Sequence, residues 1–136
     1  MTAIAETAAP PAKWMTWGGW TLTVLVCLFL AMDSAMKFMD LPQVRAATSQ
    51  LGWPTGLDRT VGVIELVCLL LYAFPRTAVL GAVLLTGLLG GAIASHLRVA
   101  DPLFSHVLFG VYVGLMAWGG LWLRDARLRA LMPLRG

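Results

Sequence analysis

The chain predicts an all-α membrane protein: a four-helix bundle running up-down-up-down, with a short amphipathic helix in its first outer loop and an interfacial helix at its C-terminus. Of 136 residues, 59% are hydrophobic and only 12% are charged, and the mean hydropathy is +0.79. A soluble domain of this size needs far more charge to cover its surface. Three stretches also lack any Asp, Glu, Lys or Arg: 19 residues from Trp14 to Met32, 19 from Thr77 to Ser95 and 22 from Pro102 to Leu123. Each meets the roughly 18–20 residues that a helix needs to cross about 30 Å of hydrocarbon. The residues from Thr60 to Pro75 are fewer and include Glu65. They still read as a span, because the chain must recross the bilayer and Pro75-Arg76 leaves room only for a hairpin.

These boundaries give a flexible tail rich in Ala, Thr and Pro over residues 1–13, and a four-span domain over 14–123. The spans are expected at about 17–38, 58–74, 77–97 and 103–123, and a basic interfacial tail occupies 124–136. No secretory signal is expected, since the basic n-region is reduced to Lys13 and Asp33 stands where a cleavage site would fall. With four spans, both termini share a side with the second connection. That side holds six basic residues (Lys13, Arg76, Arg124, Arg127, Arg129, Arg135) against four on the other (Lys37, Arg45, Arg59, Arg98). The positive-inside rule then puts both termini in the cytoplasm. The net charge of +3 is an effect at the lipid surface. No basic stripe is interleaved with exposed aromatics, so no nucleic-acid partner is expected.

The first helix is anchored by Trp14, Trp17 and Trp20 and carries Asp33 and Lys37 four apart on one face, acid before base, the better order for an intrahelical pair. In the connection after Met39, Asp40, Pro42 and Gln43 suit a helix start with a capping box. Leu41, Val44, Ala47 or Thr48, and Leu51 repeat at helical spacing until Gly52, predicting a surface helix that lies as a lid over the bundle mouth.

In the second span Asp58, Gly62, Glu65, Leu69 and Tyr72 form one stripe. The third has Gly87, Gly90, Gly91, Ala94 and Ser95, small residues that let helix backbones touch, inside the bundle or between copies of the chain in a homo-oligomer. In the fourth, His106, Gly110, Gly114 and Trp118 recur every four residues, so the histidine crowns a glycine groove. From Leu121 to Leu134, leucines alternate with Arg124, Arg127 and Arg129, an interfacial helix held by lipid headgroups, with Pro133 as its stop. Cys27 and Cys68 lie in mid-span at similar depth. A thiol-exchange pair would sit near a membrane surface, so both read as small apolar packing residues.

Glu65 is the most telling residue. A carboxylate at the centre of a span costs roughly 2.5–3.5 kcal/mol, so it must face protein, water or a partner charge. Asp33, Lys37, His96, Arg98, Asp101 and His106 fall near span ends on the same, outer side. Three readings arise. The residues form a structural network that fixes helix register. Alternatively they form a proton-handling or quinone-head pocket whose working residues are Glu65, His96 and His106, with Glu65 as acid/base and a histidine as hydrogen-bond donor, and Asp33, Lys37, Arg98, Asp101 and Tyr72 as lining. The third is a metal held by His96, His106 and a carboxylate, but ten residues across a turn is not the close spacing metal sites favour, so no metal ligand is assigned. No HExxH, GxSxG or phosphate loop occurs, which leaves ordinary hydrolases and nucleotide enzymes without support.

The stretches IELVCLLLYAFPRTAVLGAVLLTG (Ile64 to Gly87), GGAIASHLRVADPLFSH (Gly90 to His106) and WGGLWLRDARLRALMP (Trp118 to Pro133) resemble the DoxX-like family of small bacterial inner-membrane proteins. The resemblance covers roughly residues 20–133. It implies a four-helix membrane bundle. It also implies an association with membrane redox chemistry, the wider group being named for a subunit associated with quinol oxidase and thiosulfate:quinone oxidoreductase. By position, Glu65, His96, Arg98, Asp101 and His106 match its recurrent polar positions. Val44-Arg45-Ala46-Ala47 stands where members often carry a Glu-Gly pair, and the paired cysteines of thiol-relay relatives are absent. The expected function is a small inner-membrane component associated with redox or quinone chemistry. Quinone is the cofactor considered, and membrane lipids and redox-complex proteins are the expected partners. The rival is a non-catalytic scaffold or assembly subunit whose polar network only specifies packing.

Overall fold

The structure, a computed structural model, describes residue 10 and residues 12–132. It is helical throughout, with no strand among the described residues: α1 Lys13–Phe38, α2 Pro42–Gln50, α3 Leu57–Ala73, α4 Ala78–Arg98, a π-helical turn Leu103–Val107, α5 Phe109–Arg124 and α6 Ala126–Leu131. Most of the expected N-terminal tail, and the expected stop at Pro133, lie outside the described residues.

Three segments are long and apolar enough to cross a membrane: Lys13–Phe38, Ala78–Arg98 and Leu103–Arg124. The expected second span falls short of that measure, because α3 has 17 residues and reaches only about 25 Å at 1.5 Å per residue. The surface is apolar along the helices, with Leu28, Leu70, Leu80 and Leu115 all more than half exposed. That much greasy surface belongs in lipid rather than water.

α1 packs on α3 and α5, and α4 packs on the same two, so the four long helices close a ring. The buried faces follow helical spacing. α1 buries Gly19, Thr23, Val26, Leu30 and Ser34; α3 buries Asp58, Gly62, Glu65, Cys68, Leu69 and Tyr72. Glycines set the closest approaches. A Cβ on Gly19 would lie 2.8 Å from the Gly120 carbonyl oxygen, and one on Gly81 only 2.2 Å from the Tyr72 backbone nitrogen. Gly81 thus lets α4 fold back tightly on α3 after the turn, which Thr77 closes by donating its hydroxyl to the Leu71 carbonyl at 2.7 Å. Cys27 and Cys68 are both free and belong to the same apolar core.

Several local features depart from the sequence expectations. Of the two uses expected for the small residues of α4, packing inside the bundle is not made by Gly87, Gly90 and Gly91, which have nothing within 4 Å of a Cβ position. Asp40 does not cap α2: it takes a positive φ of 55°, and its carboxylate accepts from Arg45 Nε at 2.7 Å and from the Arg45 terminal amine. α2 does form where the sequence predicts a surface helix, with none of its residues buried and its contacts made to α3. The start of the fourth span is not regular α-helix, because Val107 and Leu108 donate five residues back to Pro102 and Leu103. That π turn shifts His106 out of line with Gly110, Gly114 and Trp118. The groove they form receives Ile93 and Leu89 of α4, and Trp118 Nε1 donates to Thr86 Oγ1 at 2.8 Å. The C-terminal helix is likewise not continuous. α5 stops at Arg124, and Asp125 caps α6 by accepting from the Arg127 amide at 2.9 Å.

Gly81→Ala should lower stability by about 1–3 kcal/mol through overpacking against a backbone that cannot retreat, whereas Gly90→Ala should leave the melting temperature unchanged. Thermal unfolding of the two purified variants checks the contrast. The hydrogen bonds from Arg45 hold the Asp40 carboxyl below the usual aspartate range. The pair therefore steadies the loop above that range and is lost as pH falls through the lowered folded value. Carbon NMR titration of Asp40 should show its midpoint rising toward the ordinary value in Arg45→Ala.

Candidate functional site

The polar groups at one end of the helices are organised around Lys37. One turn of α1 brings Asp33 and Lys37 together, and their side chains form an ion pair. Gly62 admits the lysine stem against α3, its Cβ position lying 3.1 Å from Lys37 Cβ. The ammonium then reaches Glu65 Oε2 at 2.5 Å. The Glu65 side chain is only 3% exposed, against 20% for Lys37 and 37% for Asp33. One ammonium is thus shared by two carboxylates, the deeper of which has left water altogether. Close by in sequence on the same buried faces are two unsatisfied atoms, Ser34 Oγ and Asp58 Oδ2.

A second group forms where α4 ends. His96 Nδ1 lies 2.6 Å from Asp101 Oδ2, and the His96 and His106 rings meet edge to face with centroids 5.8 Å apart. His106 Nδ1 is 2.7 Å from its neighbour Ser105 Oγ, and its side of the turn is exposed. Arg98 turns elsewhere. It donates to the Leu51 carbonyl and its guanidinium lies 5.9 Å from the Trp53 ring centroid, so it ties α4 to the loop between α2 and α3.

The eight residues expected to share one pocket therefore fall into separate sets. Asp33, Lys37 and Glu65 form one, His96, Asp101 and His106 another, with no hydrogen bond or ion pair joining them among the described residues. Arg98 joins neither. Tyr72 belongs to the opposite end: it is fully buried and donates to the Ala117 carbonyl at 2.7 Å. Its ring centroid lies 5.9 Å from the Arg124 guanidinium. Among the described residues no three His, Cys, Asp or Glu side chains converge as a metal would require.

Arg124 itself is a residue whose role the sequence concealed. Instead of trailing into headgroups, it donates from Nε to Thr23 Oγ1 at 3.0 Å and stacks 4.5 Å from the Trp20 ring centroid. Its Nη2 is buried without a partner. The spacing of Gly19 and Thr23, one turn apart on the face that meets α5, is the signal that could have shown it.

Two clefts accompany these groups. One, of about 210 Å³, is an apolar groove between α1 and α5 lined by Leu25, Val26, Phe29, Phe109, Tyr112, Val113 and Met116. The other, of about 180 Å³, lies between α2 and the start of α3, with Arg45, Thr48, Ser49, Trp53, Thr55, Gly56 and Asp58 around it. Neither is lined by Glu65, His96 or His106.

Long apolar helices with an outward-facing greasy surface and a charge cluster kept away from it define a helical membrane protein. The chain belongs to the DoxX-like family, whose model matches residues 21–120. No curated protein matches it, and no solved structure does.

Lys37→Met should destabilise the protein by about 3–5 kcal/mol, because it strands two carboxylates in a place where one cannot reach water. The double variant Lys37→Met/Glu65→Met should recover much of that loss. Unfolding in detergent by circular dichroism measures both, and equal melting of single and double variants would contradict the shared-lysine account.

Proposed function

We propose that the chain is a multi-pass protein of the bacterial inner membrane, four helices running up-down-up-down with both termini in the cytoplasm. In this reading it acts as a small component of a membrane redox system. The ring of contacts among α1, α3, α4 and α5 and the six-to-four distribution of basic residues support the topology. α3 is short, but its 17 residues reach about 25 Å at 1.5 Å per residue, and a bilayer thins locally around a short span at modest cost.

The observation that carries the functional reading is the sharing of Lys37 between Asp33 and Glu65. Two acids and one base form a group with an acid to spare. Such a group can stand with or without one additional proton and still keep the lysine bonded. A site of this kind, reached from the outer side through the partly exposed Asp33, suits a component that takes up or gives out protons beside a redox partner. His96 and Asp101, with His106 beside them, form a second set able to hold a proton at the same end.

A quinone head does not fit the Glu65 group itself. Glu65 is 2% exposed and neither cleft reaches it. The reading therefore gives this chain the protons and leaves quinone binding to the partner's surface. A scaffold role is the second reading, favoured by a specific observation: Lys37, Glu65, His96 and Asp101 all find partners within the chain.

The two separate cleanly. If the chain handles protons, Glu65→Gln or His96→Ala abolishes quinone-dependent activity of the co-purified complex while folding and insertion persist. If it is a scaffold, the same variants lose expression or melting temperature and any surviving complex keeps full turnover.

A further inference from the structure

α4 ends in a reversal that folds the chain back on its own last turn. The Ala100 amide donates to the Leu97 carbonyl and the Asp101 amide to the His96 carbonyl, both at 3.1 Å, the paired bonds of a Schellman cap. That cap needs a left-handed residue, usually glycine, yet Ala100 fills the place with a φ of 57° and accepts the strain that a Cβ brings there. Asp101 consequently meets His96 twice. The backbone makes one contact, and the carboxylate makes the other, its Oδ2 lying 2.6 Å from His96 Nδ1. The Asp101 side chain is 12% exposed and that of His96 26%.

The second contact settles where the imidazole keeps its hydrogen. An ionised carboxylate can only accept, so Nδ1 donates and the lone pair is left on Nε2. Nε2 has no hydrogen-bond partner among the described residues, but it is not one of the atoms sealed in without one, so it meets accessible surface. His106 is held differently. Its Nδ1 faces the Ser105 hydroxyl, which can donate or accept, so neither tautomer is imposed on it. Asp101 and His106 are the titratable groups against His96. Arg98, two residues along α4, is turned to Leu51 and Trp53, and the Asp33, Lys37 and Glu65 group makes no ion pair with the histidine. An imidazole with one nitrogen anchored to a carboxylate and the other open accepts a proton at a single atom, and the imidazolium formed stays paired with the acid.

We infer that Asp101 is a positioning residue: it fixes the tautomer of His96 so that Nε2 is the atom at which the chain takes up a proton at its outer end. The proton comes from water at that surface, forms the Nε2–H bond of an imidazolium, and leaves from the same nitrogen. The inference rests on the proton-handling reading above and gives its second set of groups a defined accepting atom.

The chain has two histidines, so nitrogen NMR of the full chain in lipid bilayers, labelled at histidine, resolves both rings, and His106→Gln assigns them. In alkaline buffer, where the rings are neutral, His96 should carry its hydrogen on Nδ1. Asp101→Asn, whose amide can donate to Nδ1, should move that hydrogen to Nε2 while leaving the His106 ring unchanged. In the co-purified complex the same variant should lower quinone-dependent turnover about tenfold or more, and Asp101→Glu should recover part of the loss. A native His96 with its hydrogen on Nε2 overturns the inference without any variant having to fold, and so does a tautomer that Asp101→Asn leaves in place. Glu65→Gln, measured alongside, tells two failures apart. If it abolishes turnover while Asp101→Asn leaves turnover intact, the inference falls and the proton-handling reading stands. If neither variant slows the complex, the reading falls and the inference with it.

Discussion

The architecture depends on one ammonium group being placed where two carboxylates need it. Glu65 cannot be solvated, because α3 turns it into the packed face, and in lipid an unpaired carboxylate would rotate the helix or distort the bilayer around it. Lys37 removes that conflict only when α1 and α3 hold a single register. Gly62 permits the register by letting the lysine stem lie directly on the α3 backbone. The hydrocarbon interior supplies little drive for helices to associate with one another, so this charged contact, with the glycine approaches, selects the arrangement.

Close backbone approach does the rest. Gly19 and Gly120 bring α1 and α5 together, and Gly81 seats α4 against the end of α3. Tyr72 then crosses from α3 to an α5 carbonyl. A transmembrane helix has no spare backbone donors or acceptors, so a tyrosine hydroxyl buried there must share an oxygen already in use. The carbonyl of Ala117 has a second lone pair for it.

How much of this could be read in advance follows from what periodicity encodes. Spacing along one helix was enough to align Asp58, Gly62, Glu65, Leu69 and Tyr72 on one buried face, and to pair Asp33 with Lys37. It says nothing about depth. Tyr72 shares the face of Asp58 yet lies 14 residues away, about 21 Å along the axis, at the other end. The contact between Lys37 and Glu65 depends on the mutual register of two helices, which no local pattern carries. Small residues are equally silent about direction: Gly87, Gly90 and Gly91 of α4 satisfy the motif for close packing but look outward, while Gly81 packs inward. The π turn before α5 was also hidden, since an added residue in a turn leaves composition unchanged while moving His106 off its expected line. Asp40 misled for a related reason, its acid being drawn to Arg45 instead of to the amides of α2.

The fastenings of α1 differ from those of α4. α1 is pinned near Lys37 to α3 and near Gly19 and Thr23 to α5, so it cannot slide lengthwise without breaking both attachments. α4 is pressed at its start onto the α3 backbone through Gly81, and it sends Ile93 and Leu89 into the glycine groove of α5. It adds one indole-to-hydroxyl bond there and is tied to the α2–α3 loop by Arg98 at its far tip. Any movement of α4 in the bilayer must therefore pivot on its start, where Gly81 leaves no room between it and the α3 backbone.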